Sequence, residues 1–296
     1  MIQAGDVYHV WLQLLRTLIH HPQQVVAPRG QATRECLAQQ LIINDLRKCL
    51  IYHPVRNINY KFAVAEWLWI LLELDDVNAL LRYNKQMSRF SDDGKVLAGA
   101  YGPRLGPQWS YVVDTLRRDP NSRQAVSVIF TPYPPPSKDV PCTISLQFLL
   151  REAFQKRWLH VITTMRSSDA WLGIPYDAFT FAQLANLLAN ELNKGDRPLN
   201  VELGSLTFNL GSSHLYESDL EAAKRVIEAP SDGAAIASPN LTRGFPSADE
   251  RRGLEHALYG REHGMELYWP WCHYANVLKA DTFTVARGIL SGMTDE

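Results

Sequence analysis

The chain has 296 residues, 46% of them hydrophobic and 21% charged, with a formal net charge of −1. That is enough apolar material for a sizeable core in one large domain, residues 1–296. The balanced charge excludes a general attraction to nucleic acid or to an anionic membrane, but not a local anion site.

The first segment, "MIQAGDVYHVWLQLLRTLIHHP", has no basic start ahead of a long apolar run, so it does not read as a signal peptide. Val7 to Ile19 instead carries apolar residues at helical spacing and stops at His21-Pro22. A polar loop, "APRGQATRE", follows. "NYKFAVAEWLWILLELDD" predicts a strongly apolar helix with one odd residue, Glu66. "SRFSDDGKVLAGAYGPRLGPQW" is glycine-rich and reads as irregular. Ser110 to Arg118 predicts a helix ended by Asp119-Pro120. "QAVSVIF", "CTISLQFLL" and "RWLHVITTM" predict strands, the first two separated by the loop "TPYPPPSKDVP". Phe179 to Leu192 predicts a helix and "VELGSLTFNLG" a fourth strand. Helical patterns close the chain at 217–227, 248–259 and 272–290, and segment 229–246, rich in Pro, Ser, Gly and Ala, is expected to be a mobile insertion. Strands and helices in mixed order imply an α+β domain, with helices packed on one face of a mixed sheet. No stretch of about 18 apolar residues could span a bilayer. The cysteines are scattered without CxxC or zinc spacing, so thiols in a reducing, cytoplasmic setting are expected, and no metal.

Several residues stand out chemically. Cys142 opens a strand after Val140-Pro141, where a thiol is half exposed; it reads either as a small core residue or as a nucleophile. Glu66 on an apolar helix is costly unless paired or used. Arg29, Arg123 and Arg166 each sit in a turn or at an element's end. Each alone reads as a solvated surface residue; with Ser167 they could clamp a phosphate, because guanidinium forks match phosphate oxygens. His214 and Tyr216 alternate on one strand face, as an edge-strand pair or as partners for a sugar hydroxyl.

Taken in order, these pieces resemble the thymidylate synthase family. Asp119-Pro120-Asn121-Ser122-Arg123 looks like its "DP-x-SR", Pro141-Cys142 its "PC", and Arg166 to Asp169 with Leu172-Gly173-Ile174-Pro175 its "RS-x-D-x-x-LG-x-P". Gly211 to Tyr216 looks like "G-x-x-H-x-Y", "AEWLW" like its "E-L-x-W" helix, and Ala100-Tyr101-Gly102 like its "YG" segment. The resemblance implies the thymidylate synthase-like fold and a homodimer with shared active sites, Arg123 reaching in from the other subunit. It implies 5,10-methylenetetrahydrofolate as one-carbon donor. Cys142 then matches the thiolate that attacks C6 of a pyrimidine nucleotide, and Glu66 the acid that moves protons through water. Positive charge nearby is expected to lower the thiol's pKa. Arg29, Arg123, Arg166 and Ser167 match the 5′-phosphate contacts, and His214 and Tyr216 the ribose contacts. Asp169, Gly173 and Tyr176 match the folate side, and Tyr101 a tyrosine of the catalytic water network.

Asp177 departs from the family pattern. Thymidylate synthases place asparagine here, whose amide complements the N3–H and O4 of uracil. Cytosine offers the reverse, an N4–H2 donor and a bare N3, and a carboxylate accepts from N4–H while favouring a proton at N3. The resemblance therefore points to the cytidylate hydroxymethylase branch, acting on CMP or dCMP. The alternatives are a thymidylate synthase acting on dUMP, and a non-catalytic nucleotide- or RNA-binding relative. Asp177 could also simply cap the helix expected from Phe179. Thr143 replaces the family's histidine, Gln124 its second arginine and Met165 its glutamine. The ending "SGMTDE" lacks the apolar tail that shuts out water, which favours a hydroxymethyl over a methyl product.

Overall fold

The computed structural model describes every residue except 133, 230–232, 238–243, 262–263 and 293–296. In chain order the elements are β1 (Ile2–Ala4), α1 (Val7–His20), β2 (Gln24–Val26), β3 (Thr33–Ile43), β4 (Leu50–Tyr52), α2 (Tyr60–Leu71), α3 (Asn78–Leu81), α4 (Gly102–Leu105) and α5 (Trp109–Arg118). They continue with β5 (Val126–Val128), β6 (Thr143–Ala153), β7 (Lys156–Asp169), α6 (Ile174–Leu192), β8 (Val201–Tyr216), α7 (Leu220–Glu228), β9 (Ala234–Ile236), α8 (Ala248–Leu258), α9 (Trp271–Lys279) and α10 (Phe283–Gly292).

The centre is a seven-stranded mixed sheet in the order β1-β3-β8-β7-β6-β5, with β2 added to β3. β7 and β8 run parallel, as a helical crossover through α6 allows, whereas β3–β8, β6–β7 and β5–β6 are antiparallel. α6 packs on β7 and β8, and α1 on β3 and β8. α1 is started by Asp6, whose carboxylate accepts from the His9 N–H at 3.0 Å, and it buries Val7, Val10, Trp11, Leu14, Leu15 and Leu18 as one stripe. α2 is apolar almost all round because it is enclosed: α6 packs on it, and so do α8, α9 and α10.

β3 and β8 kink together. Ala38 has φ 52°, and it lies opposite Gly211 between the pairs Leu37↔Ser212 and Gln39↔Leu210. Before the kink β8 buries Leu206, Phe208 and Leu210; beyond it the buried residues are Ser213 and Leu215, so the alternation shifts by one. A side chain at Gly211 would meet the Arg166 carbonyl at 2.8 Å, which is why that position has none. The kink turns Ser212, His214 and Tyr216 away from the core.

The structure departs from the sequence reading in several places, besides the short elements β1, β2, β4, α3 and α4 that it adds. β3 was expected only as a loop through its first residues. β7 and β8 run on through Asp169 and Tyr216. α6 starts at Ile174 and not at Phe179. The helix expected over 272–290 is two, α9 and α10, separated at Ala280, whose backbone is extended at ψ 137°. Within segment 229–246, Ala234–Ile236 pairs with β4 as an ordered strand; 230–232 and 238–243 lie outside the described residues.

Candidate active site

The C-terminal ends of β7 and β8 and the start of β6 bring most of the chemistry together. Arg166 N–H donates to the Cys142 carbonyl at 2.8 Å. The Arg166 guanidinium donates through Nε to the Pro141 carbonyl at 2.9 Å and through Nη2 to the Val140 carbonyl at 2.7 Å. Its Nη1 donates to the Ser167 hydroxyl at 3.0 Å, and that hydroxyl points at the Cys142 sulfur 3.7 Å away. One arginine thus fixes the loop that carries the thiol.

Burial pushes the Cys142 thiol up; Arg166 and the Ser167 hydrogen bond pull it down, and the charges of Asp177 and Asp139 add to the rise. The net direction is upward, which corrects the expectation of a depressed pKa: desolvation outweighs the one nearby cation.

Tyr101 lies on the other side of the thiol. Its hydroxyl accepts from the Thr143 N–H at 3.2 Å, and burial holds the phenol far above its ordinary range. Glu66 projects from α2. It makes no hydrogen bond or ion pair among the described residues, and burial, reinforced by the charge of Asp177, raises it to about 8. Asp177 is raised to about 7 by burial and by the charge of Asp169. Asp169 is raised to about 6, chiefly by burial; one of its oxygens accepts from the Trp171 N–H at 2.7 Å and the Leu172 N–H at 3.1 Å. Burial and the charges of neighbouring carboxyls thus push Asp169, Asp177 and Glu66 up in steps into the neutral range.

Asp177 is not a helix cap. The cap of α6 is Gly173, without a side-chain bond, and Asp177 lies inside the first turn. Gly173 is required by closeness: a Cβ there would meet the Asp169 carbonyl at 2.8 Å and an Asp177 carboxylate oxygen at 3.3 Å. Tyr176 is a buried wall. Its ring packs edge-on to Phe62 at 5.3 Å, and its hydroxyl accepts from the Asn59 N–H at 3.2 Å.

His214 and Tyr216 pack edge to face at 5.3 Å. Burial lowers the His214 pKa, which the charge of Glu35 raises. The Tyr216 phenol is raised by burial and by the charges of Asp169 and Cys142, while Arg29 and Arg166 lower it. Arg29 sits at the rim, exposed in a turn at φ 52°. Arg123 stands apart from the others. It is exposed before the edge strand β5, beside Arg118, Asp119 and Gln124, and among the described residues only its carbonyl is tied, accepting from Gln147 Nε2 at 2.9 Å.

Sequence reasoning missed some supporting residues. Asp139 accepts from the Gly99 N–H at 2.7 Å and so ties the approach to Tyr101 to the approach to Cys142. Asn59 caps α2 at 3.0 Å to the Phe62 N–H, a signal legible as Asn before an apolar helix. Arg56 lies 4.4 Å over the Trp171 ring and donates to its carbonyl at 3.2 Å. Among the described residues no cluster of three His, Cys, Asp or Glu is placed to hold a metal, and no helix is long and apolar enough to cross a membrane.

This mixed sheet with a thiol at a strand start defines the class, and comparison gives the family. The thymidylate synthase family profile matches residues 9–242. The chain belongs to the thymidylate synthase family. It is 32% identical over 233 residues to the deoxyuridylate hydroxymethyltransferase of Bacillus phage SP01, a match covering 72% of this chain and 58% of that protein's length. It is 28% identical over 236 residues to a putative thymidylate synthase of Methanothermobacter marburgensis, covering 77% of this chain and 97% of that one. The crystal structure of thymidylate synthase from T4 phage superimposes with a TM-score of 0.58 at 21% identity, over 74% of this chain and 80% of that chain. The α+β fold is that of thymidylate synthase. α8, α9 and α10 lie beyond the matched region and pack on α2.

Proposed function

We propose that this protein is a cytidylate 5-hydroxymethyltransferase, which adds a one-carbon unit and water to C5 of CMP or dCMP. The observation that carries the reading is Asp177: an acid inside the first turn of α6, raised to about 7 and free of any capping role. With a proton, such a carboxyl donates to cytosine N3 and accepts from N4–H.

Cys142 would attack C6 and make C5 nucleophilic. A proton passed from Asp177 to N3 would let the ring hold the electrons displaced by that attack. Glu66, raised to about 8, would carry protons at the base and at C5 through water. 5,10-Methylenetetrahydrofolate would supply the one-carbon unit. The donor set suits its pterin: the second carboxylate oxygen of Asp169 makes no hydrogen bond among the described residues and is open to N–H donors, and Gly173 leaves room beside it. Arg166, Ser167 and Arg29 would hold the phosphate, with His214 and Tyr216 on the sugar. Addition of water as the final step is supported by the name of the phage relative, a hydroxymethyltransferase. Most of the polar ending "SGMTDE" lies at 293–296, outside the described residues.

The same phage name favours a second reading, hydroxymethylation of deoxyuridylate. Incubation with CMP, dCMP, UMP and dUMP plus methylenetetrahydrofolate separates the readings. 5-Hydroxymethylcytidylate without dihydrofolate is expected. A hydroxymethylated uridylate supports the second reading, thymidylate with dihydrofolate indicates reductive methylation, and no turnover indicates a binding protein.

The isolated position of Arg123 supports a homodimer in which each Arg123 completes the partner's phosphate site. Mixed Arg123→Ala and Cys142→Ala protomers should then regain about a quarter of wild-type activity from heterodimers with one intact site, on the assumption of random exchange. A mixture as inactive as its parents after subunit exchange rules out the shared site.

Glu66 also predicts a stability effect. Its folded pKa of about 8 lies above the ordinary 4.5, so its contribution is full below about 4.5 and is lost as pH rises through about 8. Glu66→Gln should therefore melt a few degrees higher than wild type at pH 9 and show little gain at pH 5, while losing turnover. Thermal melts across that range are the measurement.

A further inference from the structure

A row of polar groups crosses the sheet beyond the β3–β8 kink. It starts at the Cys142 sulfur, 3.7 Å from the Ser167 hydroxyl. Ser167 is the register partner of Ser212 on β8. The Ser212 hydroxyl donates to Glu35 Oε1 on β3. Glu35 is in turn the cross-strand partner of His214, and Thr33 that of Tyr216. Residues directly opposite in register share a face, so Glu35 lies on the same face as His214 and Tyr216, one strand further from the thiol. Glu35, Ser212, His214 and Tyr216 are all partly accessible, as a pocket floor requires.

The hydrogen-bonding capacity of this row is only partly used. Glu35 Oε2 makes no hydrogen bond among the described residues, and neither do the His214 ring nitrogens. A carboxylate held in place by one hydroxyl, with its second oxygen free beside a sugar-binding imidazole, fits a pair of neighbouring hydroxyls. His214 and Tyr216 suffice for the single ring hydroxyl of a deoxyribose. Only a ribose brings a second, and an acidic side chain is the group that reads a ribose 2′-hydroxyl in dinucleotide-binding folds as well.

We propose that Glu35 reads the 2′-hydroxyl of the substrate, so that the site takes a ribonucleotide in preference to a deoxyribonucleotide. This rests on the reading of the site as a pyrimidine-nucleotide site and, for the base, on the cytidylate assignment; CMP is then favoured over dCMP. Ser212 is the positioning residue that aims the carboxylate.

The test is the ribo-to-deoxy ratio. Dissociation constants for CMP, dCMP, UMP and dUMP are measured by calorimetry, and kcat/KM wherever turnover occurs, for wild type, Glu35→Gln and Glu35→Ala. A charge-assisted hydrogen bond predicts a wild-type preference for the ribonucleotide of about tenfold to hundredfold. The ratio should fall part of the way towards one in Glu35→Gln, which keeps an acceptor without the charge, and nearly to one in Glu35→Ala. Circular dichroism checks that the variants fold, and Glu35→Gln alone decides if the alanine variant does not. A wild-type ratio of one or below overturns the proposal. So does a loss of equal size for both sugars in the variants, which would mean that Glu35 only orients His214. If the cytosine assignment fails, UMP and dUMP carry the same comparison; if catalysis fails, the dissociation constants still do.

Discussion

Cys142→Ala is expected to lose turnover by several orders of magnitude while still binding nucleotide. The loss follows from the role proposed for the thiol: without attack at C6, C5 stays a poor nucleophile whatever else is bound. The phosphate and sugar groups do not depend on the sulfur. Arg166 is held by the carbonyls of Val140 and Pro141, which the substitution leaves in place. Release of tritium from C5-labelled substrate should stop as well, since that exchange needs the same covalent adduct. Near-normal exchange in the variant would refute the assignment. Burial holds the resting thiol above its ordinary range. The rate of thiol alkylation should therefore be slow in the free protein.

The α+β fold class was legible in the sequence, whereas the extent of its strands was not. Cys142, Arg166, Ser167, His214 and Tyr216 do converge, because each stands at a strand end where polar residues interrupt an apolar pattern. The same interruption hid the strands. "TRECLAQQLII" carries Arg34, Glu35, Gln39 and Gln40, and the kink at Ala38 shifts its alternation midway, so no period of two runs through it. β7 and β8 were cut short where Arg166-Ser167-Ser168 and Ser212-Ser213 begin, although the ladder continues there. The start of α6 was missed because Gly173 caps it with no side-chain bond, although Pro175 in its first turn is a start signal. Glu35 gave no local signal at all: its partner Ser212 is 177 positions away and is reached only through sheet register. Asp139 was equally silent, since its tie to Gly99 joins two irregular loops.

Asp177→Asn should reverse the base preference. On the cytidylate reading one proton is shared between Asp177 and the base. That proton would rest on Asp177 as a hydrogen bond to cytosine N3 until Cys142 attacks C6; the electrons displaced into the ring then make N3 basic enough to take it, leaving a carboxylate that accepts from N4–H. A protonated Asp177 can also donate to uracil O4, so the discrimination develops where Asp177 is ionised and O4 faces a bare carboxylate. A buried polar group left in that state costs about 1–3 kcal/mol, or roughly tenfold to hundredfold in selectivity. Asparagine offers an N–H to O4 and an oxygen to N3–H, so activity on UMP or dUMP should rise and activity on the cytidylate fall. The pH profile gives an independent reading. The proton-bearing form of Asp177 is populated below its pKa of about 7, so kcat/KM for the cytidylate should fall as pH rises through that value. In Asp177→Asn that limb should disappear. The Glu66 limb should move to lower pH, because the negative charge that helps to raise Glu66 is gone. A variant with an unchanged cytosine-to-uracil ratio and an unchanged profile would show that Asp177 neither reads the base nor holds its proton, and the cytidylate reading would lose its support to the deoxyuridylate one.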